Sequence, residues 1–201
     1  MEIEMSSLRT RDVYAWLTSV IVPRPIAWVS TRSSRGIENL APYSYFSGLA
    51  SSPPLVTLGI ANLRDGKEKD TLRNARESGF LCVNIVEEPF VEQMNRTSGD
   101  FPSDVSEFHE TGLTSTACTA IPCVRVAESR VAMECRLVDV HPYGNGPGVN
   151  LVVAEVIHLH VADELIEDGT IADDRLRPVA RLGGTAYAGI GNAFHLPRPK
   201  V

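Results

Sequence analysis

The amino-acid sequence predicts a mainly β fold with short helices. Runs of β-branched and aromatic residues recur along the 201 residues, and proline and glycine clusters separate them. Two long runs, 129–141 and 149–161, flank the glycine-rich turn PYGNGPG and predict an antiparallel hairpin. Helical spacing of apolar residues is confined to short stretches.

The individual elements follow from local residue types. Helices are predicted at 12–18, 69–77 and 89–94, and strands at 26–29, 55–60, 80–86, 129–141 and 149–161. Pro23 and Pro25 exclude a helix interior before the first strand, which Ser30 and Thr31 are expected to end. Asp70 is the predicted N-cap of the second helix. Asn84, a polar residue inside an apolar run, is either a hydrogen-bonded core group, which we favour, or a ligand contact.

Residues 39–44 are predicted to form an irregular segment rather than a strand. Small polar residues, a proline and the aromatic side chains of Tyr43, Tyr45 and Phe46 are crowded together here. Such a segment offers free backbone groups beside flat apolar surface, which suits a planar, hydrogen-bonding ring. An ordinary loop of a β protein is the alternative interpretation.

A candidate anion site lies at the start of the second helix. Lys69 and Thr71 place a cation and a hydroxyl beside the unpaired backbone N–H groups of a helix N-terminus. The alternative is a capped surface helix with a solvated lysine. The hydroxyls of Ser30 and Thr31 form a second candidate anion site, so a planar cofactor with a phosphate tail would use both sites and the 39–44 segment.

Composition narrows the class of function. The formal net charge of −6 argues against a general nucleic-acid binder. Neither a secretory signal nor an apolar run of membrane-spanning length is recognisable, so we expect a cytoplasmic protein with no membrane partner. The four cysteines form no CxxC pair and the five histidines are scattered, so no metal site is expected. No Ser-His-Asp or Cys-His arrangement is recognisable, and no catalytic side chain is assigned.

Several motifs occur together in a fixed order. They are PRPIAWVST at 23–31, NLAPYSYF at 39–46, KDT at 69–71, and RLGG at 181–184 followed by Tyr187. In this combination the sequence resembles the flavin reductase-like family with the FMN-binding split-barrel fold, of the flavoredoxin type, over nearly the whole chain. The resemblance implies a Greek-key split β-barrel, a single domain over 1–201, and a homodimer with each flavin near the subunit interface.

The resemblance also implies a set of cofactor contacts. The phosphate and ribityl chain of FMN would be held by Ser30, Thr31, Lys69 and Thr71. The isoalloxazine ring would be bordered by Asn39, Leu40, Ala41 and Ser44. Arg181 and Tyr187 match positions near the cofactor.

The function expected from this resemblance is that of an FMN-binding oxidoreductase. NADH or NADPH would reduce the flavin, which would pass electrons to a free flavin, a metal chelate, a redox partner protein or a small organic acceptor. A non-enzymatic FMN-binding electron-transfer or flavin-carrier protein is the alternative.

Overall fold

The computed structural model describes residues 1–199, and the last two residues of the predicted domain, Lys200 and Val201, lie outside the described residues. Within that range the α-helices are α1 (Thr10–Val20), α2 (Asp70–Ser78), α3 (Val91–Arg96) and α4 (Glu107–Thr111). Single turns of 3-10 helix cover Met5–Ser7, Glu88–Phe90 and Asp163–Leu165. The strands are β1 (Arg24–Pro25), β2 (Ala27–Arg32), β3 (Glu38–Tyr43), β4 (Phe46–Ser51), β5 (Pro54–Ala61), β6 (Phe80–Ile85), β7 (Ser115–Ala117), β8 (Val124–Val126), β9 (Val131–Tyr143), β10 (Val149–Val161), β11 (Ile166–Glu167), β12 (Thr170–Ile171), β13 (Val179–Arg181) and β14 (Tyr187–Gly189).

The main sheet has seven antiparallel strands in the order β3-β2-β6-β9-β10-β5-β4. Although β3 and β4 are consecutive in the chain, they form the two opposite edges of this sheet, so the connection at 44–45 joins one edge to the other. The predicted hairpin is confirmed as β9 and β10, which pair along their whole length with two register shifts. The prediction of a mainly β fold with short helices is likewise confirmed.

The two larger of the three hydrophobic cores among the described residues lie on the two faces of this sheet. The first is built from alternate residues of the central strands, including Val29, Leu58 and Val83, and helix α2 adds Leu72 and Ala75 to it. The second core covers the other face of β2 with residues from α3, α4 and β8; its largest members are Trp28, Leu40, Met94 and Phe108. Because side chains alternate along a strand, β2 contributes to both cores. Helices α2 and α4 are thereby fixed on either side of β3.

The structure corrects three local predictions. Strand β2 continues through Ser30 and Thr31 to Arg32 instead of ending at them. Residues 38–43 are not irregular but form strand β3, with Pro42 opposite Trp28. A proline is tolerated there because β3 is an edge strand, whose outer side needs no ladder hydrogen bond.

The third correction concerns the start of α2. Lys69 has extended backbone angles and is the N-cap, so Asp70 is the first helical residue. Asp70 instead forms an ion pair with Arg73 one turn later. The predicted end of the helix is close, with Gly79 in the left-handed conformation at the C-cap.

Candidate functional site

A cavity of about 240 Å³ lies between strand β3, the start of α2, the segment 97–101 and helix α4. We call it the α2 cavity. Its lining includes Asn39, Ala41, Tyr43, Lys69, Thr71 and Glu107. Its position follows from the fold, because the packing of α2 and α4 beside β3 leaves the outer edge of that strand facing the space between them.

The start of α2 supplies donors to the α2 cavity. Lys69 makes no side-chain capping hydrogen bond, so the first N–H groups of the helix are not capped by that residue. Asn39 Nδ2 donates to Thr71 Oγ1 at 2.9 Å. Thr71 Oγ1 therefore acts as an acceptor toward Asn39 and keeps its own proton for another acceptor. A cation, a helix N-terminus and a hydroxyl thus meet at one end of the cavity.

A buried amide and hydroxyl network holds this end in place. Thr31 Oγ1 accepts hydrogen bonds from Asn74 Nδ2 at 3.2 Å and from Asn39 Nδ2 at 3.4 Å. The network joins β2, β3 and α2, and Thr31, Asn39 and Asn74 are all buried. Because buried polar groups are costly when unpaired, these bonds fix the orientation of Asn39 and Thr71 at the cavity wall.

The hydroxyl of Tyr43 is an orphaned polar group in the same cavity. It is buried, and no group in the described part of the chain meets the geometry of a hydrogen bond to it. The Thr71 hydroxyl is nevertheless close enough to affect its pKa. Burial raises the pKa of Tyr43 well above its ordinary value; the neighbouring Thr71 hydroxyl lowers that pKa in part, and the nearby carboxylates of Glu107 and Asp70 raise it further. The phenol therefore stays a neutral O–H donor at physiological pH, available to an acceptor in the cavity.

Glu107 supplies the acceptor on the opposite wall. Its Oε2 accepts the backbone N–H of Leu40 at 2.9 Å, and the side chain is buried. Burial raises the pKa of the Glu107 carboxyl, the hydrogen bond from Leu40 lowers it, and Asp70 raises it, with a net upward shift. The second carboxyl oxygen provides acceptor capacity for hydroxyl groups of a ligand.

A second cavity of about 250 Å³ adjoins the first, because Pro42 and Ser98 line both. We call it the Arg181 cavity. Arg181 and Tyr187 lie opposite each other on β13 and β14, and the guanidinium carbon lies 4.4 Å from the centre of the tyrosine ring. The Tyr187 hydroxyl donates to Asn95 Oδ1 at 2.9 Å. The two cavities form a groove that runs from the start of α2 to the β13–β14 hairpin.

The structure distributes the eight residues predicted to contact a ligand over three environments. Four of them line the α2 cavity: Asn39, Ala41, Lys69 and Thr71. Ser44 lines the Arg181 cavity, and its hydroxyl lies 3.4 Å from the Nε of Arg24. The side chains of Ser30, Thr31 and Leu40 are fully buried.

Ser30 occupies a supporting position within the sheet. Its hydroxyl donates to the carbonyl of Val124 at 2.6 Å and accepts from Asn84 Nδ2 at 3.1 Å. Asn84 also donates to the Trp28 carbonyl and accepts from the N–H of Val126. The favoured interpretation of Asn84 as a hydrogen-bonded core group is confirmed. The Ser30 hydroxyl makes these hydrogen bonds inside the fold and does not face either cavity, so Ser30 is not among the proposed ligand contacts.

Two residues of the α2 cavity were missed as contacts by sequence reasoning. Tyr43 is part of the aromatic cluster described in the sequence analysis but was not predicted to contact a ligand, and Glu107 was not predicted to contact one either. Their roles depend on burial and on the packing of α4 beside β3, and neither property has a local signal in the sequence. Among residues 1–199, no cluster of three or more His, Cys, Asp or Glu residues has a geometry that could hold a metal ion. No helix in that range is long and apolar enough to span a membrane.

Comparison with solved structures finds close relatives over the full length. Nitrilotriacetate monooxygenase component B from Bacillus cereus is 36% identical with a TM-score of 0.94, and the match covers 98% of each chain. The 2-nitrobenzoate 2-nitroreductase NbaA from Pseudomonas fluorescens is 31% identical with a TM-score of 0.90, covering 99% of this chain and 96% of that one. A candidate flavin reductase with a split barrel domain from Shewanella frigidimarina is 26% identical with a TM-score of 0.86, covering 99% and 100%.

The split barrel predicted from the sequence is confirmed by these similarities. The family model described as "Flavin reductase like domain" matches residues 19–180. That range begins within α1 and ends within β13, so it includes the main sheet and the α2 cavity. On this match the chain belongs to the flavin reductase-like domain family.

Proposed function

We propose that this protein is an FMN-binding oxidoreductase. It takes electrons from NADH or NADPH and passes them to a free flavin, a metal chelate, a partner protein or a small organic acceptor. One observation carries the proposal: the unpartnered Tyr43 hydroxyl lies in the same cavity as Lys69 and Thr71 at the start of α2. Membership of the flavin reductase-like family supports the choice of a flavin as the ligand.

The phosphate of FMN fits the α2 end of the groove. A helix N-terminus favours an anion through its unpaired N–H groups and its dipole, and the Lys69 ammonium adds a full positive charge. Thr71 has a hydroxyl proton to donate, and Tyr43 remains protonated because its pKa is raised by burial. Glu107 lies across the cavity and is suited to accept hydrogen bonds from ribityl hydroxyls.

The flavin ring fits along the outer edge of β3. An edge strand presents backbone N–H and C=O groups that no neighbouring strand uses, which a ring with alternating donors and acceptors can pair with. Ala41 and Pro42 provide a small and flat apolar wall where the two cavities join. Leu40 is not a free donor here, because its N–H already bonds to Glu107.

Bound FMN supplies hydride and electron transfer. The contribution of this chain is to fix the phosphate, orient the ring against β3 and leave the side facing the Arg181 cavity open to a second reactant. No side chain is assigned as a catalytic acid or base. The similarity to a monooxygenase component and to a nitroreductase supports a small-molecule or protein acceptor.

We also propose that the protein is a homodimer. Helix α1 has Thr18 as its one buried residue and exposes Trp16, Leu17 and Val20. A wide apolar cavity of about 580 Å³ lies nearby and includes Tyr45. A second copy would remove these surfaces from water, which is favourable at about 25 cal/mol per Å² of apolar area. Sedimentation should give twice the chain mass of 21.9 kDa, and V20D should shift it to the monomer; a monomeric wild type would refute the proposal.

The experiment that tests the proposed function is a titration of the flavin-free protein with FMN, followed by anaerobic addition of NADH and of NADPH. The wild type should bind one FMN per chain, and one nucleotide should bleach the visible band. T71A should weaken FMN binding about tenfold, as expected for a hydrogen bond to a charged group, and T71S should restore it. T170A is the matched control, because Thr170 is exposed on β12 far along the chain.

The outcomes separate the two functions considered. A bound flavin that neither nucleotide bleaches would favour the electron-transfer or carrier alternative. A wild type that retains no FMN would refute both, since each depends on the same cavity. Equal FMN affinity of T71A and T170A would refute the placement of the phosphate at the start of α2.

A further inference from the structure

We propose that the Arg181 cavity recognises an anionic aromatic compound, such as an aromatic carboxylate, as the electron acceptor. The inference rests on the proposed function, because it names the substrate class for the open side of the flavin. Four features of the described residues carry it: an arginine without a carboxylate partner, a second arginine opposite it, the absence of acids from the cavity walls, and flanking tyrosine rings.

Arg181 has the donors needed to bind an anion. Its guanidinium stacks on the Tyr187 ring, and one Nη2 hydrogen is used by the carbonyl of Gly184. Among the described residues no carboxylate lies within ion-pair distance of Arg181, whereas nine other Lys and Arg residues, counted from the ion pairs of the same range, have an acidic partner. An arginine presents five N–H donors, so the remaining ones are free to bind a carboxylate in two-point fashion.

Arg24 adds a second positive charge directly opposite the first. Arg24 and Arg181 are paired across β1 and β13, where like charges normally destabilise a sheet. Arg24 is buried, and its guanidinium donates to the carbonyls of Thr18, Ile21 and Leu182, all of them neutral groups. Its positive charge is therefore fixed in the fold without a counter-ion from the described residues. An anion bound beside Arg24 and Arg181 would therefore reduce the repulsion between their like charges.

The cavity walls contain no acid to neutralise these charges. Neither the Arg181 cavity nor an adjoining cavity of about 370 Å³, which contains Arg11, Arg24 and Arg181, is lined by Asp or Glu. Arg11 has its own acidic partner, Asp12, at 3.7 Å, and Asp12 also pairs with Arg9 at 2.7 Å. In a protein whose net charge is −6, Arg24 and Arg181 are therefore two neighbouring cations without an acidic partner among the described residues, a local reversal of the overall charge.

The aromatic part of the ligand is selected by the remaining walls. Tyr14 and Tyr187 line the cavity on the side of Arg181, and Ile26 and Met94 close it with apolar surface. Flat aromatic and apolar walls favour a planar ring, and the Arg181 guanidinium at one end fixes the direction of its charged group. Because Pro42 and Ser98 belong to both cavities, a ring held here lies next to the proposed position of the flavin.

Benzoate and benzamide are the probes that test this inference, because they have similar size and shape and differ in charge. Calorimetric titration of the FMN-saturated protein should give a dissociation constant at least tenfold lower for benzoate, as expected when a charged hydrogen-bonding pair is lost. R181Q should abolish the preference, and R181K should retain part of it. R35Q, which removes the same charge from an exposed turn residue, should leave the preference unchanged.

The FMN titration separates failure of this inference from failure of the proposed function. If FMN binds equally well to the wild type and to R181Q, and benzoate has no advantage over benzamide, the substrate class is wrong while the flavin site stands. If R181Q loses FMN affinity but keeps the preference for benzoate, Arg181 contacts the cofactor and the inference is overturned. If FMN does not bind, the inference falls together with the proposed function, because an electron acceptor needs the bound flavin.

Discussion

The Tyr43 hydroxyl gives the sharpest prediction, because it is buried without a partner beside Thr71 in the ligand-free chain. Y43F removes the unpaired hydroxyl and keeps the ring. An unsatisfied buried polar group costs about 1–3 kcal/mol, so the flavin-free variant should be more stable by about 1–2 kcal/mol. For a chain of this length, that corresponds to a rise in Tm of roughly 2–8 °C.

The same substitution should weaken the binding of FMN. A hydrogen bond to a charged group such as the phosphate contributes about 1.5–3 kcal/mol, so the dissociation constant of FMN should rise roughly 10- to 150-fold. The effect should be constant between pH 6 and pH 9, because the raised pKa of Tyr43 keeps its hydroxyl protonated throughout. Thermal unfolding without flavin and fluorescence titration with FMN measure the two effects separately.

T170V is the matched control for this experiment. Thr170 is exposed on β12, so its hydroxyl is hydrated and its removal should change neither Tm nor FMN affinity. A Y43F variant that is less stable than the wild type would refute the reasoning, because it would mean that the hydroxyl already has a partner in the ligand-free protein. Unchanged FMN affinity would refute the assignment of that hydroxyl to the ligand.

Three further predictions concern charged groups. K69A should raise the dissociation constant of FMN about tenfold in a fluorescence titration, whereas K67A, which removes an exposed lysine paired with Asp65, should not. The free energy of unfolding of E107Q relative to the wild type should increase as pH rises above about 4.5, because the raised pKa of Glu107 means that the folded state favours the neutral carboxyl. Urea unfolding at pH 5 and at pH 7.5 measures this difference, and the same difference at both pH values would contradict the prediction. E87Q should cost about 1–3 kcal/mol at pH 7 by breaking the two-point pair with Arg130, and the loss should shrink as pH falls through the lowered pKa of Glu87.

Local sequence patterns predict which segments form helices and strands better than they predict which strands lie at the edges of the sheet. The β9–β10 hairpin follows from two long strand-like runs and one turn, and helix α2 follows from its spacing and its terminal glycine. The segment that forms β3 was predicted to be irregular because small polar residues, Pro42 and aromatic side chains are crowded together there. No local pattern in the sequence indicates that β3 is an edge strand. The edge position is the reason why the sheet tolerates Pro42.

Some residues of the candidate site could be predicted from the sequence, and others could not. Lys69 and Thr71 were identified from the chemistry of a helix start, and they line the cavity. The Ser30 hydroxyl is chemically able to bind an anion. In the fold, however, it donates to a carbonyl of β8 and accepts a hydrogen bond from a side chain of β6. The acid-free surroundings of Arg181 arise from residues far apart in the chain, which only the folded structure brings together.

The titration of the flavin-free wild type with FMN tests the proposed cofactor site most directly. We expect one FMN per chain, retained after removal of excess and released more readily by T71A and K69A than by T170A and K67A. A protein that stays colourless, or that binds FMN with equal affinity in all four variants, would contradict the proposal that the α2 cavity holds the flavin phosphate.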